Sequence, residues 1–255
     1  MADLRQLGIE AGDTVLVRAG LREIGLTADR GKAGKTFIEA LLEAVGPEGT
    51  IVGLPFTLAF LRLGRHRDYV FDPATTPTYT GGFASAMLDW PGVVRSSHPS
   101  TSFAAIGRHA DELLAGHDET APSFWPMKAL LERDGKMLSI GCIASGPGFV
   151  TVHWIRHELG LTLRNILRNR WRVFYRRNGE TKIYTVDGID GCSHGFRKFY
   201  GGYVEAGKLQ TGFVGRAYSA LIGARDAYAV ERSMLEANPR ASLCDRPTCY
   251  SCRTT

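Results

Sequence analysis

Thr14-Val15-Leu16-Val17, Thr36-Phe37-Ile38-Glu39-Ala40-Leu41-Leu42-Glu43-Ala44-Val45 and Thr50-Ile51-Val52-Gly53-Leu54 follow one another within the first fifth of the chain, and together they decide the fold class. The first run is apolar and β-branched and follows the turn signal Ala11-Gly12, so Asp13 to Arg18 reads as a short buried strand. In the second run Phe37, Ala40, Leu41, Ala44 and Val45 recur at helical spacing, and Gly46-Pro47 ends the helix. The third run is again strand-like after Pro47-Glu48-Gly49. Strand, helix and strand in this order give two parallel strands joined by a helical crossover, and so an α/β sheet.

Working outward, 60–82 carries Arg62, Arg65, His66, Arg67, Asp72, Pro73 and Pro77 without sustained periodicity and reads as a long irregular excursion, the kind of loop that often carries function. Short helices are expected over Gly82 to Trp90, from Asp111 to Leu114, over Met127 to Arg133 and over Val150 to Leu159. Strands are expected over Phe103 to Gly107 and Lys136 to Gly141. Arg172 to Tyr175 and Lys182 to Val186 flank Asn178-Gly179, a tight hairpin signal, and imply an antiparallel edge on a mixed sheet. Ala217 to Leu235 reads as one long amphipathic helix. The expectation is a single domain over 1–255, with 240–255 a Cys-rich tail.

At 255 residues and 44% apolar content the chain can bury a large core without disulfides. It has no apolar run near the roughly 20 residues that span a bilayer and no secretory signature at its start, so a soluble cytoplasmic protein with no membrane partner is expected. The net charge of +5 is thinly spread and suits a phosphorylated small molecule better than nucleic acid. The densest basic run, Arg164 to Arg177, is interleaved with Trp171, Phe174 and Tyr175 and could stack bases. A solvated helix end leading into an amphipathic strand explains it as well. Nothing in the sequence fixes the oligomeric state; a homodimer is compatible with it.

Four groups of residues carry chemistry. Gly31-Lys32-Ala33-Gly34-Lys35-Thr36 opens a helix, where a phosphate is favoured, but Asp29 stands where a nucleotide-hydrolysing P-loop needs glycine. It serves either as a helix start touching a phosphate or as a plain cap. Ser97 to Gly107 gathers hydroxyls and His98 in a loop entering a strand, as a polar pocket lining or as a self-satisfied turn. His153 begins a helix after a glycine-rich turn, with Glu158 badly placed to share its face. Cys244, Cys249 and Cys252 fall within nine residues, and Cys192 lies in the turn Asp190-Gly191-Cys192-Ser193-His194-Gly195. In a reducing compartment such a cluster reads as a four-ligand structural zinc site, with Cys192 or His194 as the fourth ligand, or as buried thiols in a partly ordered tail.

Taken together, several stretches resemble the aminoglycoside 3-N-acetyltransferase family. They are Val17-Arg18-Ala19-Gly20-Leu21-Arg22-Glu23-Ile24-Gly25, Leu41 to Thr50, His98 to Gly107, Leu138-Ser139-Ile140-Gly141 with His153, and Gly212 to Ala217. The resemblance implies a three-layer α/β/α sandwich with a mixed, largely parallel central sheet, distinct from the GNAT fold. It implies transfer of acetyl from acetyl-CoA to an amine of an aminoglycoside or amino sugar. By position it places Arg18, Ala19, Gly20, Leu21, Pro55, Phe56, Thr57, His98, Ser102 and Phe103 around CoA and makes His153 the catalytic base. The family's serine pair is Ala19-Gly20 here, so backbone N–H groups would have to serve. The usual Glu three residues beyond the histidine is Arg156, which leaves Asp190 first and Glu158 second as acidic partner. The Cys-rich tail resembles a subfamily found among carbohydrate and surface-polysaccharide genes. Two other readings are a Cys192-nucleophile acyltransferase paired with His153 or His194, and a zinc-stabilised nucleic-acid-binding module built on Arg164 to Arg177.

Overall fold

The computed structural model describes residues 1–25, 32–57, 70–146, 148–162, 172–185, 192–249 and 252. Strands β1 (Thr14–Ala19), β2 (Thr50–Gly53), β3 (Val94–Arg95), β4 (Ala104–Gly107) and β5 (Lys136–Ile140) share one sheet. Strands β6 (Arg172–Arg177) and β7 (Glu180–Thr185) pair only with each other in a second sheet, and β8 (Gln210–Val214) and β9 (Ala217–Gly223) complete the first. Its order is β3-β4-β2-β1-β5-β9-β8. The central trio β2-β1-β5 is parallel, with Thr14 opposite Thr50 and Leu16 opposite Met137, and the strands outside it run antiparallel. The strand-helix-strand reading of the first fifth therefore holds.

The central strands carry apolar runs, Val15-Leu16-Val17, Ile51-Val52 and Met137-Leu138, because both faces are covered. Along β1, Val15 and Val17 point to one face and Leu16 to the other; Ile51 and Val52 divide likewise, as do Leu138 and Met137. On the first face lie α1 (Ala2–Leu7), the short turn α2 (Leu21–Ile24), α3 (Ala33–Val45) and α4 (Gly82–Leu88), through Leu4, Ile24, Phe37, Leu41, Phe83 and Met87. On the second lie α5 (Ala110–Leu114), α6 (Pro126–Glu132), α7 (Thr151–Glu158), α8 (Phe199–Glu205) and α9 (Ala224–Ala237), through Leu113, Leu130, Ile155, Phe199 and Leu235. The result is a three-layer sandwich, and none of its helices is long and apolar enough to cross a membrane among the described residues.

Two expectations fail. Ala217 to Leu235 is not one helix: Ala217–Gly223 is a strand lodged between β5 and β8, and the helix begins only at Ala224. Ala217, Ala220, Leu221 and Ala224 fit a helical stripe, but in the fold Leu221 faces one core and Ala220 and Ile222 the other, which is strand alternation. The two-residue turn Gly215-Arg216 joins β8 to β9, with Gly215 at φ +58°. The second failure concerns the Asn178-Gly179 hairpin, which forms with both turn residues at positive φ but is not an edge of the main sheet. It is held instead to Phe71, whose N–H donates to Phe174 O (2.6 Å) and whose carbonyl accepts from Arg176 N (2.8 Å). Antiparallel edges of the main sheet are formed elsewhere, by β3-β4 at one side and β9-β8 at the other.

Candidate active site

The carboxyl ends of β1, β2 and β5 open into one cavity of about 1280 Å³. Ligands of open α/β sheets collect at such strand ends. Arg18 and Ala19 end β1, Gly20 and Leu21 continue it, Leu54 and Phe56 follow β2, and Gly141, Cys142 and Ser145 follow β5. Ala33 at the start of α3 and Gly82 at the start of α4 face the same space. Thr78 Oγ1 donates to Phe56 O (2.9 Å) and Thr80 Oγ1 to Leu54 O (2.5 Å), so the strand-end carbonyls after β2 hold the segment that leads into α4.

His153 lines this cavity from the first turn of α7. Its ring stacks on Phe124 with centroids 4.3 Å apart and planes 6° apart, and Phe196 meets it edge-on at 4.8 Å. Nδ1 is buried, so the Nε2 side is the one a ligand can reach. Charge in the lining is mostly positive: Arg18, Arg22 and Arg216 stand against the single carboxylate Glu23 among the described residues. Arg18 donates to Gly148 O at 3.0 Å, which fixes its guanidinium at the cavity wall. Such a cavity, part apolar through Leu21, Phe56, Phe124 and Phe149 and part cationic, suits an elongated ligand with an apolar arm and phosphates.

The expected site residues divide. Arg18, Ala19, Gly20, Leu21, Phe56 and His153 line the cavity, whereas Pro55, Thr57, His98, Ser102 and Phe103 do not. The last four are buried completely. Their polar groups are spent internally: Thr57 Oγ1 donates to Pro99 O (3.3 Å), Ser102 Oγ donates to Pro55 O (3.0 Å), and Arg95 donates to Pro55 O (3.0 Å). His98 Nδ1 accepts from the N–H groups of Ser100 (3.3 Å) and Thr101 (3.1 Å), so in its neutral form the proton sits on Nε2, which faces Tyr184 Oη at 3.3 Å. The ring stacks on His117 at 4.8 Å. Burial pulls His98 down to about 4; burial and then the neighbouring His98 pull His117 down to about 3, so both are neutral at neutral pH. The motif His98 to Gly107 is thus a brace behind the loop that presents Phe56.

Glu158 turns away from the cavity, accepting from Tyr228 Oη (2.5 Å) and Arg232 (3.4 Å) of α9, which removes it as a partner for His153. Asp190 lies outside the described residues, as does most of the basic run from 163 to 171. Arg177, at the end of that run, pairs with Asp118 (3.3 Å) and Glu119 (3.0 Å) rather than offering itself to a backbone of phosphates. Lys35 of the glycine-rich helix start faces out toward Glu39 (3.9 Å), and the Gly20 N–H, expected as a donor to the ligand, is taken by Ile140 O (2.8 Å). Phe124, Phe196 and Cys142 reach the cavity without having been singled out in the sequence, because no local pattern marks them, and Arg216 reaches it from within the stretch Gly212 to Ala217.

Cys192, Cys244, Cys249 and Cys252 come together with their sulfurs all within 4.8 Å of one another, and none forms a disulfide. The group lies off the cavity, but Ser193 and Phe196, just beyond Cys192, line it. Burial pushes the Cys252 thiol up to about 12 and raises Cys192 as well; at Cys249 burial is outweighed by donors from Cys244 and Cys252, and its value falls to about 7.

A ligand cleft at the ends of a parallel strand trio, lined by arginines and an imidazole, marks an α/β enzyme. The chain belongs to the aminoglycoside 3-N-acetyltransferase family, whose model matches residues 16–236, and is accordingly an acetyl-CoA-dependent acetyltransferase. It is similar to an aminoglycoside N(3)-acetyltransferase III from Salmonella, 30% identical with 91% of this chain and 88% of the relative covered. An aminoglycoside N(3)-acetyltransferase IX from Micromonospora chalcea is 33% identical over 54% of each chain. Among solved structures, AAC-VIa bound to sisomicin superposes with a TM-score of 0.73 at 27% identity, covering 92% of this chain and 95% of that one. The apoenzyme of AAC(3)-IVa gives 0.74 at 25% identity, covering 99% and 93%.

Proposed function

We propose that the chain, acting as one unit with 240–255 as its tail, moves acetyl from acetyl-CoA directly to an amine of an amino sugar or aminoglycoside, with His153 as general base. The observation that supports this is an imidazole inside a cavity whose other lining is apolar and cationic. Acetyl-CoA supplies the acyl group; Arg18, Arg22 and Arg216 suit its phosphates, and Leu21 and Phe56 its pantetheine arm.

An amine at neutral pH must first lose a proton to solvent to attack. As its nitrogen bonds to the thioester carbon, the carbon–sulfur bond breaks, and the nitrogen's surplus proton passes to His153 Nε2. The ring then gives that proton to the departing sulfur and ends neutral. An imidazole can make both transfers, and general acid–base catalysis of this kind contributes about 10²- to 10⁴-fold in rate. His153→Ala should therefore abolish turnover and leave CoA affinity nearly intact; unchanged turnover refutes the role. Cys192 is a poor rival nucleophile because its sulfur faces the three tail thiols. Mass spectrometry after mixing with acetyl-CoA alone tests it, an acetylated Cys192 reviving the covalent route.

The described lining holds the carboxylate Glu23 beside the three arginines proposed for the phosphates of CoA, so among the described residues Glu23 is the charged group left to receive an amine. Thiol release from acetyl-CoA, measured with aminoglycosides and amino-sugar nucleotides side by side, tests the acceptor class: turnover of neither overturns the proposed reaction.

A further inference from the structure

We propose that Cys192, Cys244, Cys249 and Cys252 bind one zinc ion that fastens the C-terminal tail to the turn bearing Ser193 and Phe196, and through it steadies the wall of the cavity against His153. The role given to His153 rests on the function proposed above; the metal site does not.

Four sulfurs all within 4.8 Å of one another are close enough to surround one ion. A tetrahedron with Zn–S near 2.3 Å has edges of about 3.8 Å, so the widest separation of up to 4.8 Å needs to close by only about 1.0 Å. Two disulfides would pair the sulfurs and separate the pairs, which is a different arrangement. The backbone is also prepared for thiolates. Cys244 N points at Cys252 Sγ (3.5 Å), and the amides of His194 and Cys252 face the sulfurs of Cys192 and Cys249. Such amides offset the charge of a site that binds a divalent ion through four anionic sulfurs, each thiol losing its proton to solvent as the metal enters. A closed set of four ligands leaves no open position for chemistry, so the ion is structural.

The tail lies against the cavity wall through other contacts that the ion would lock. A Cβ on Gly195 would stand 2.1 Å from Ser242 O, so the tail backbone lies directly on the turn. Lys198 donates to Leu243 O (2.8 Å) and Asp245 (2.6 Å), and the buried Arg156 of α7 donates to Ser242 Oγ. From there the path to the site is one residue long. Phe196 touches the His153 ring, and a Cβ on Gly148, whose carbonyl receives Arg18, would stand 2.3 Å from Phe196 Cβ.

The test uses the full chain, expressed with zinc and iron both supplied, purified without chelator and analysed by elemental mass spectrometry and X-ray absorption. About one zinc per chain with four sulfurs near 2.3 Å is expected. Iron in its place, a shell containing nitrogen or oxygen, or reduced protein that takes up no zinc on titration overturns the site. Chelator-stripped wild-type protein then tests the positioning role without cysteine variants. Stripping should raise hydrogen exchange over 193–199 and 242–246, lower kcat about tenfold with KM for acetyl-CoA little changed, and move the acid limb of the kcat profile; zinc restores all three. Zinc present but kcat and its pH profile unmoved by stripping overturns the positioning role. Turnover retained by His153→Ala, in contrast, would sink the functional reading while leaving the metal content untouched.

Discussion

His153 lies flat on Phe124, 4.3 Å between centroids and 6° between planes, so the orientation of the ring is set by packing. Phe124 is itself wedged edge-on against Phe56 (6.1 Å) and Phe103 (6.2 Å) and is nearly buried. Phe124→Leu keeps most of the volume but loses the flat surface. A stability loss of about 1.5 kcal/mol or less is expected from the near-conservative swap. A kcat loss of about tenfold is expected from the freed ring. Denaturant titration and steady-state kinetics separate the two, and a stability loss with kcat unchanged would make Phe124 core filling only.

The buried imidazoles of His98 and His117 give the protein an acid-sensitive brace. In the unfolded chain both titrate near 6.5, whereas in the fold they sit at about 4 and about 3. The unfolded chain therefore binds protons first as pH falls. Their neutral forms cost nothing above pH 6.5, and stability is lost as pH drops from there toward 4, on the order of 3 kcal/mol for His98 alone. Between pH 6.5 and 5 the raised Glu231 opposes the histidines equally in wild type and in a His117 variant, so the difference between their urea midpoints in that window isolates the effect. His117→Gln should flatten the dependence, and equal slopes in variant and wild type would show the pair to be hydrated.

Glu231 works in the opposite direction. It is wholly buried on α9, receives a hydrogen bond from the Tyr203 hydroxyl, and has Thr151 of α7 within reach. Burial, partly countered by Thr151 and Tyr203, raises it to about 8 from an ordinary 4.5. The folded chain then holds a proton that the unfolded chain has lost, so this contribution is complete below pH 4.5 and disappears as pH rises through 8. Glu231→Gln keeps the shape and an acceptor for Tyr203 without that proton. It should be more stable than wild type at pH 7 by up to about 3 kcal/mol and show a steeper acid limb, since nothing now opposes the two histidines. A variant less stable than wild type at pH 8 would mean the carboxylate is ionised and paired.

What the sequence makes legible follows from where each signal is stored. Thr14 to Val17 and Thr50 to Gly53 announce themselves because strands covered on both faces carry consecutive apolar residues and are bounded by turn residues. Ala217 to Gly223 misleads because small residues at three- and four-residue spacing satisfy helix and strand patterns alike, and only its place between β5 and β8 decides. The thiol cluster is legible from the closeness of Cys244, Cys249 and Cys252, and His153 from resemblance. His98, Ser102 and Phe103 are the instructive misplacement: hydroxyls and an imidazole in one loop look like a pocket, yet they satisfy one another behind it. Phe124 and Phe196 stay hidden because each arrives from a segment with no pattern of its own.

Gly34 sits where α3 crosses α4, and the fate of an added methyl there can be decided by magnitudes. A Cβ would stand 2.5 Å from Ala86 Cβ and 3.6 Å from Leu21 Cδ1. Replacing glycine by alanine within a helix contributes about 1 kcal/mol through propensity. Overpacking a rigid core contact costs roughly 1 to 3 kcal/mol, and Ala86 has no flexible end to swing aside. Gly34→Ala should therefore be destabilising on balance. It should also raise KM for acetyl-CoA, because Ala33 on α3 and Gly82 and Phe83 on α4 line the cavity and must part for the methyl. Adding Ala86→Gly reopens the crossing and should restore KM; a double variant as impaired as the single one would show that Gly34 serves something other than close approach.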